Sequence, residues 1–214
     1  MAGVTVDKKD EKKLTALGVK DSKKLSPRRR EELAKAIEEI ARNIVVLRVQ
    51  SCRIDDMRAK GINLDKIEAM KMAEIIELCN GSTIFIDSLE HNTQKFKQIV
   101  LSFLKNKDYN LVVENYLDES IPVVSAASII AKVNRDEAIK EIEKEAGQPI
   151  GVGYPHDAAT IEFVKKLIRE NGKNLPPYVR KSWVTTQVLQ EESWQRKLKD
   201  FMFGKKEKCK EKVE

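Results

Sequence analysis

TIFIDSLEHNTQKFKQIVLSFLKNKDYNLVVENYLD, residues 83–118, sets two short apolar runs, TIFID and LVV, on either side of a segment in which Phe96, Ile99, Val100 and Phe103 recur at helical spacing. Short β-branched and aromatic runs bounded by turn-forming residues read as buried strands. A helix between two such strands is the repeating unit of an α/β sheet. An acid closes the first run at Asp87, and Glu114 and Asp118 follow the second. Ligands bind at the carboxyl ends of strands in open α/β sheets, so these acids are the first candidates for chemistry. Taken singly, each fits an Asx turn or a helix cap equally well.

The alternation continues outward from this stretch. Upstream, residues 2–6 read as the tail of a strand, IVVLRV at 44–49 as another, and Ser26-Pro27 as the start of a helix with Leu33, Ile37 and Ile40 on one face. Leu64, Ile67, Met70, Ala73 and Ile76 mark a further helix that Asn80-Gly81 ends. Downstream, Pro122 opens a helix carrying Ser125, Ala126, Ala127 and Ser128, then Ile129, Val133, Ile139 and Ile142, and stopping at Gly147. Small side chains there permit close packing on a sheet. GVGYPHD, 151–157, is a turn whose Asp157 can cap the helix bearing Ile161, Val164, Leu167 and Ile168, and a last helix is expected from about 187 to 203. The expected architecture is α/β, a mixed sheet flanked by helices (1–150), followed by a helical region with a basic tail (151–214).

Composition narrows the class. With 40 Lys+Arg against 34 Asp+Glu the 214-residue chain carries a formal charge of +6, which suits a polyanionic partner. The charge is concentrated: KDSKKLSPRRR, 20–30, holds six cations and one acid. Three cysteines without C-x-x-C spacing suggest neither a disulfide framework nor a zinc knuckle, and a reducing cytoplasm fits them. No apolar run is long enough to span a bilayer, so no membrane segment is expected. His91 and His156 stand in no Ser or Cys nucleophile constellation.

Five motifs in order carry a family resemblance: LGVKDSKKLSPRRREEL at 17–33, FIDS at 85–88, DESIPVVSAASIIAKVNRD at 118–136, GVGYPHD, and PYVRKSW in the segment ending at Trp183. Together they resemble the type 2 ribonucleases H, or ribonucleases HII, most closely in their archaeal spacing. The resemblance implies a ribonuclease H-like fold with a five-stranded mixed sheet and a metal-dependent endonuclease. That enzyme cuts the RNA strand of RNA–DNA hybrids, and cuts at ribonucleotides embedded in duplex DNA, leaving 5′-phosphate and 3′-hydroxyl ends. Four acids hold two divalent cations, Mg²⁺ or Mn²⁺, in that family. Hard cations prefer oxygen ligands, and two of them about 4 Å apart stabilise both the attacking and the departing oxygen.

Carried over by position, Asp87 and Asp118 are the third and fourth acids, at once catalytic and metal-binding. The first two lie in the family in an Asp-Glu-x-Gly-Arg-Gly motif on a strand immediately upstream of one resembling MAGVTV, and no such motif occurs in this sequence. A gene start placed too late, or a partial gene, is the expected reason. The other reading is a catalytically incompetent nucleic-acid-binding remnant. Tyr154 matches a tyrosine that stacks near the ribose whose 2′-hydroxyl marks the RNA–DNA junction, although Val152 replaces a commoner Ser. Asp21, Ser22, Lys23 and Lys24 match a loop facing substrate phosphates, with Arg180, Lys181 and Ser182 as further candidates. Gln195, Leu198 and Phe201 resemble the box by which some archaeal members bind the replication sliding clamp; the same spacing also suits a helix face, with Trp194, covering the core. A cytoplasmic monomer is expected.

Overall fold

The computed structural model describes residues 1–19, 25–79, 81–88 and 90–202, with no side-chain account of 196–202. Asp21, Ser22, Lys23 and Lys24, and the side chains of Leu198 and Phe201, therefore lie outside the described residues.

In chain order the elements are β1 Ala2–Thr5, a 3-10 turn at Lys8–Asp10, α1 Glu11–Ala16, α2 Pro27–Ile40, β2 Asn43–Val46, α3 Ser51–Ala59 and α4 Leu64–Cys79. Then follow β3 Thr83–Asp87, α5 Thr93–Phe103, β4 Asn110–Glu114, α6 Leu117–Ser120, α7 Pro122–Ala146, α8 Ala158–Asn171 and α9 Val184–Met202. The caps are those that the residue types dictate. Ser26 Oγ accepts from the Arg29 amide at 3.2 Å with Pro27 at the first helical position, and Asp157 accepts from the Thr160 amide at 2.9 Å. Gly147 closes α7 at φ +64, a conformation that costs a Cβ-bearing residue and costs glycine nothing.

The strands form two ladders. β1 pairs antiparallel with β2, Gly3 opposite Val45, and amide bonds from Arg42 to Thr5 O and from Leu47 to Met1 O prolong the pairing at both ends. β3 pairs parallel with β4, Asp87 opposite Glu114. The five-stranded sheet implied by the resemblance is thus seen as four strands in two separate pairs among the described residues. The expected strand at 44–49 is also shorter, since the ladder ends at Val46 and α3, which the alternation did not announce, begins at Ser51.

Alternation along β1 places its residues between two helical layers. Ala2, Val4 and Val6 pack on the cluster of Leu33, Ile37, Ala126 and Ile129 from α2 and α7. On the opposite face a Cβ at Gly3 would meet Ile75 Cγ2 at 2.4 Å and Cys79 Sγ at 2.8 Å, so α4 lies directly against the backbone. A second cluster joins α4 and α5 to β3 and β4 through Ala73, Ile76, Ile86, Phe96, Val100 and Leu111. A third gathers Ile150, Phe163, Leu167, Ile168 and Val179 around α8, with Ile139 and Ile142 of α7 at its border.

The first pair is antiparallel and the second parallel. Thr5, at the end of β1, donates its hydroxyl to Cys79 O, just ahead of the start of β3, at 3.0 Å. β3 therefore departs from the place where β1 arrives. Between them lies a cavity of about 610 Å³ with β1 along one side and β3 along the other, Met72, Ile75 and Ile76 of α4 and Val124, Ala127 and Ala131 of α7 completing the wall.

Candidate active site

Asp87 ends β3 where the parallel ladder stops, and the chain of β4 turns sharply beside it. Tyr116 takes φ +62 there, the one left-handed non-glycine residue among those described, and this turn delivers α6. The cost of that conformation is of order 1 kcal/mol. Its consequence is geometric: the Leu117 amide donates to Asp87 Oδ1 at 3.1 Å, tying the Asp87 carboxylate to the residue that precedes Asp118 in the chain. Asn115 Nδ2 donates to Ser88 O and, at 3.2 Å, to Glu90 O, tying the two strand exits together. Ser125, from the small-residue face of α7, donates its hydroxyl to Asp118 O.

Asp118 is only 4% exposed, and its Oδ1 has no hydrogen-bond donor. An acceptor left bare in the interior costs about 1–3 kcal/mol, more when charged. That orphaned oxygen is the donor chemistry a hard divalent cation needs. The residues present therefore fit one side of such a site, and no third His, Cys, Asp or Glu joins them among the described residues. The cavity between β1 and β3 reaches Asp87.

The 151–157 loop is held from below. The Val152 amide donates to Asp157 Oδ2 at 3.1 Å and the Gly153 amide to Thr160 Oγ1 at 2.9 Å. The Thr160 hydroxyl first, then the Thr160 and Val152 amides, hold the Asp157 carboxyl below its ordinary range. Tyr154 stays 40% exposed, with the Arg135 guanidinium 3.7 Å over its ring and His156 stacked beside it at 5.5 Å. Arg135, which sequence reasoning passed over, also donates from Nη2 to Val152 O at 2.8 Å and Gly153 O at 2.9 Å.

Arg180, Lys181 and Ser182 are gathered on α3: the Lys181 and Ser182 amides donate to Asp55 at 2.8 and 2.9 Å. Arg180 is half-buried, bonds Ser182 Oγ at 3.4 Å and sits in the field of Asp55 and Glu68. Lys181 is left exposed. Gln195 is exposed on α9, and Trp194, rather than covering the core, is 43% exposed with the Lys173 ammonium 3.9 Å over its ring.

Two strand pairs flanked by helices, with Asp87 at the end of one strand and Asp118 just beyond the exit of the next, are the architecture of the ribonuclease H-like fold. The family model for ribonuclease HII matches residues 1–186. A ribonuclease HII from Methanothrix thermoacetophila is 40% identical over 193 residues, 90% of each chain. Among solved structures, ribonuclease H2 from Pyrococcus horikoshii superposes with a TM-score of 0.78 at 30% identity, covering 89% of this chain and 97% of that one. The RNase HII of an Archaeoglobus fulgidus PCNA:RNase HII complex gives 0.75 at 32%, covering 88% and 95%.

The chain belongs to the ribonuclease HII family. Its chemistry is accordingly that of a metal-dependent ribonuclease H acting on RNA–DNA hybrids.

Proposed function

We propose that this protein hydrolyses the RNA strand of hybrids, and the phosphodiester at single ribonucleotides embedded in duplex DNA, leaving 5′-phosphate and 3′-hydroxyl ends. The reading is supported by the Leu117 amide bond to Asp87, one residue before Asp118, and by the buried Asp118 oxygen that has no donor. Asp87 and Asp118 would hold Mg²⁺ or Mn²⁺, and two such ions bound together would stabilise the charge that develops on the attacking and departing oxygens. Ser125 and the α6 turn hold the Asp118 backbone, and the Leu117 amide holds the Asp87 carboxylate, so the chain that bears the two acids is set before substrate arrives.

The other half of the site belongs, in this reading, to a fifth strand between β1 and β3, upstream of Met1 and carrying an Asp-Glu pair. A strand there would lie parallel to β3 and antiparallel to β1. Both of its faces would be covered, by α4 and α7, so its sequence should be apolar throughout until it emerges beside Asp87.

Tyr154 stands ready to stack on the ribose at an RNA–DNA junction, and Ser22, Lys23 and Lys24 supply phosphate donors, with Lys181 the freest of the PYVRKSW cations. The tail through Gln195, Leu198 and Phe201 would bind a sliding clamp, a reading supported by the PCNA complex of the A. fulgidus relative. The third cluster, around α8, supports treating 151–214 as a helical region appended to the core of 1–150. No helix among the described residues is long and apolar enough to cross a membrane, in keeping with a cytoplasmic enzyme, proposed here as a monomer.

The test is cleavage of a duplex holding one ribonucleotide, in Mg²⁺ and in Mn²⁺, by residues 1–214 and by the chain extended upstream in frame. Cutting by the extended chain, lost in Asp87→Asn and Asp118→Asn, is expected. An extended chain that lacks an acid pair, or that remains active in either variant, overturns the assignment. Tight binding without cutting by the extended chain would instead mark a non-catalytic remnant.

A further inference from the structure

Tyr116, between β4 and α6, holds a backbone conformation that its residue type resists. At φ +62 and ψ 27 it is left-handed, where glycine and asparagine sit readily and a bulky side chain is strained. An asparagine is next to it in the chain, yet Asn115 is committed elsewhere, its side-chain amide donating to Ser88 O and Glu90 O. Nor does core packing explain a large ring here. Tyr116 is 68% exposed, more open than Tyr154 or Trp194, although it stands between a half-buried Asn115 and a buried Leu117. Both neighbours are anchored on the exit of β3, Asn115 through those two carbonyls and Leu117 through its amide on Asp87 Oδ1. The backbone that carries the exposed ring is therefore set against the strand end that carries Asp87, two residues ahead of Asp118.

We propose that Tyr116 is a substrate-binding residue, its ring a platform on which a nucleotide beside the scissile phosphate stacks. Strained backbone of this kind clusters at binding and active sites. The charge around the turn favours a neutral contact. Asp87, Glu114, Asp118 and Glu119 all lie on the two strand exits and α6, and carboxylates repel a phosphate backbone wherever cations do not neutralise them. An aromatic face attracts a base whatever that charge and whatever the base. The proposal rests on the reading of these strand exits as the face that meets nucleic acid.

The experiment measures fluorescence anisotropy of two short duplexes, all-DNA and with one ribonucleotide, titrated with the 214-residue chain in Mg²⁺ at several salt concentrations. The wild type should bind both. Tyr116→Ala should weaken both roughly tenfold, within the reach of one base–aromatic stack. The factor should be the same at every salt concentration, because a stack displaces no phosphate counterions. Tyr116→Phe, which keeps the ring, should bind as the wild type does. Tyr116→Gly should melt above Tyr116→Ala, since glycine relieves the strain, and still bind as weakly. Where Tyr116→Ala melts too early to measure, Tyr116→Gly carries the same expectation. Full binding by the glycine or alanine variant, a loss that shrinks as salt rises, or a loss in Tyr116→Phe as large as in alanine overturns the proposal alone. A wild type that binds neither duplex overturns the nucleic-acid reading of the strand exits, and the proposal with it.

Discussion

Asp118 is held in a position that stability alone would not choose. Its buried, donorless oxygen predicts that Asp118→Asn, with metal chelated, melts at or above the wild-type temperature, a gain of about 1 kcal/mol. Added Mg²⁺ should raise the wild-type melting temperature and leave the variant unmoved; a variant that melts well below wild type in chelator would contradict the assignment. Asp157 makes the opposite kind of contribution. Its carboxyl is held below its ordinary 3.8 by Thr160 first and Val152 after, so the stabilisation is complete above that value and is lost as pH falls through the lower folded value. Asp157→Asn, which keeps a cap acceptor, should remove that part of the acid limb from a stability-against-pH curve. Both acids were legible in sequence, Asp157 as a cap before an apolar helix and Asp118 by its motif. Arg135 was not: its carbonyl partners lie 17 and 18 residues away, and Asp136 meets Arg30 across 106. Local patterns carry no trace of pairs at those separations.

Among the elements, α7 does the most. Its small residues were readable as a close-packing face, and Ser125, Ala126 and Ile129 are buried as that face requires. Ala127 and Ala131 of the same helix instead line the cavity between β1 and β3. Ala127→Leu should therefore stabilise the 214-residue chain by filling space, about 0.8 kcal/mol for each methylene buried. In a chain extended by the proposed fifth strand the same substitution should cost stability and activity, as overpacking does, by about 1–3 kcal/mol. Thermal melts of the two forms check the change of sign; a loss in both would show that no strand-sized space exists. The contrast between α3 and α4 shows the limit of periodicity. α4 has buried Ile67, Ala73 and Ile76 at helical spacing and was read from them, whereas α3 buries none of its residues and offered no apolar stripe to find.

At the scale of the molecule, two strand pairs, one antiparallel and one parallel, share two helical layers across a gap. A strand of the kind proposed, added at the N-terminus, should join them, raising both the melting temperature and the urea m-value because more surface is buried in one cooperative unit. An unchanged m-value would mean that the added segment does not enter the sheet. Nucleic-acid binding by the +6 chain should weaken as salt rises, since phosphate contacts release counterions.

What the residues determined by themselves was the strands and the longer apolar-faced helices, the caps at Ser26, Gly147 and Asp157, and two acids beyond strand ends, because propensity, capping and alternation act over a few neighbours in the chain. What only the tertiary structure decided was that Asp87 takes the amide of Leu117 thirty residues on, that Arg135 lies on Tyr154, and that a cavity separates β1 from β3. Those depend on which distant segments pack together, and packing is settled by the shape and volume of whole layers rather than by any local run of residues.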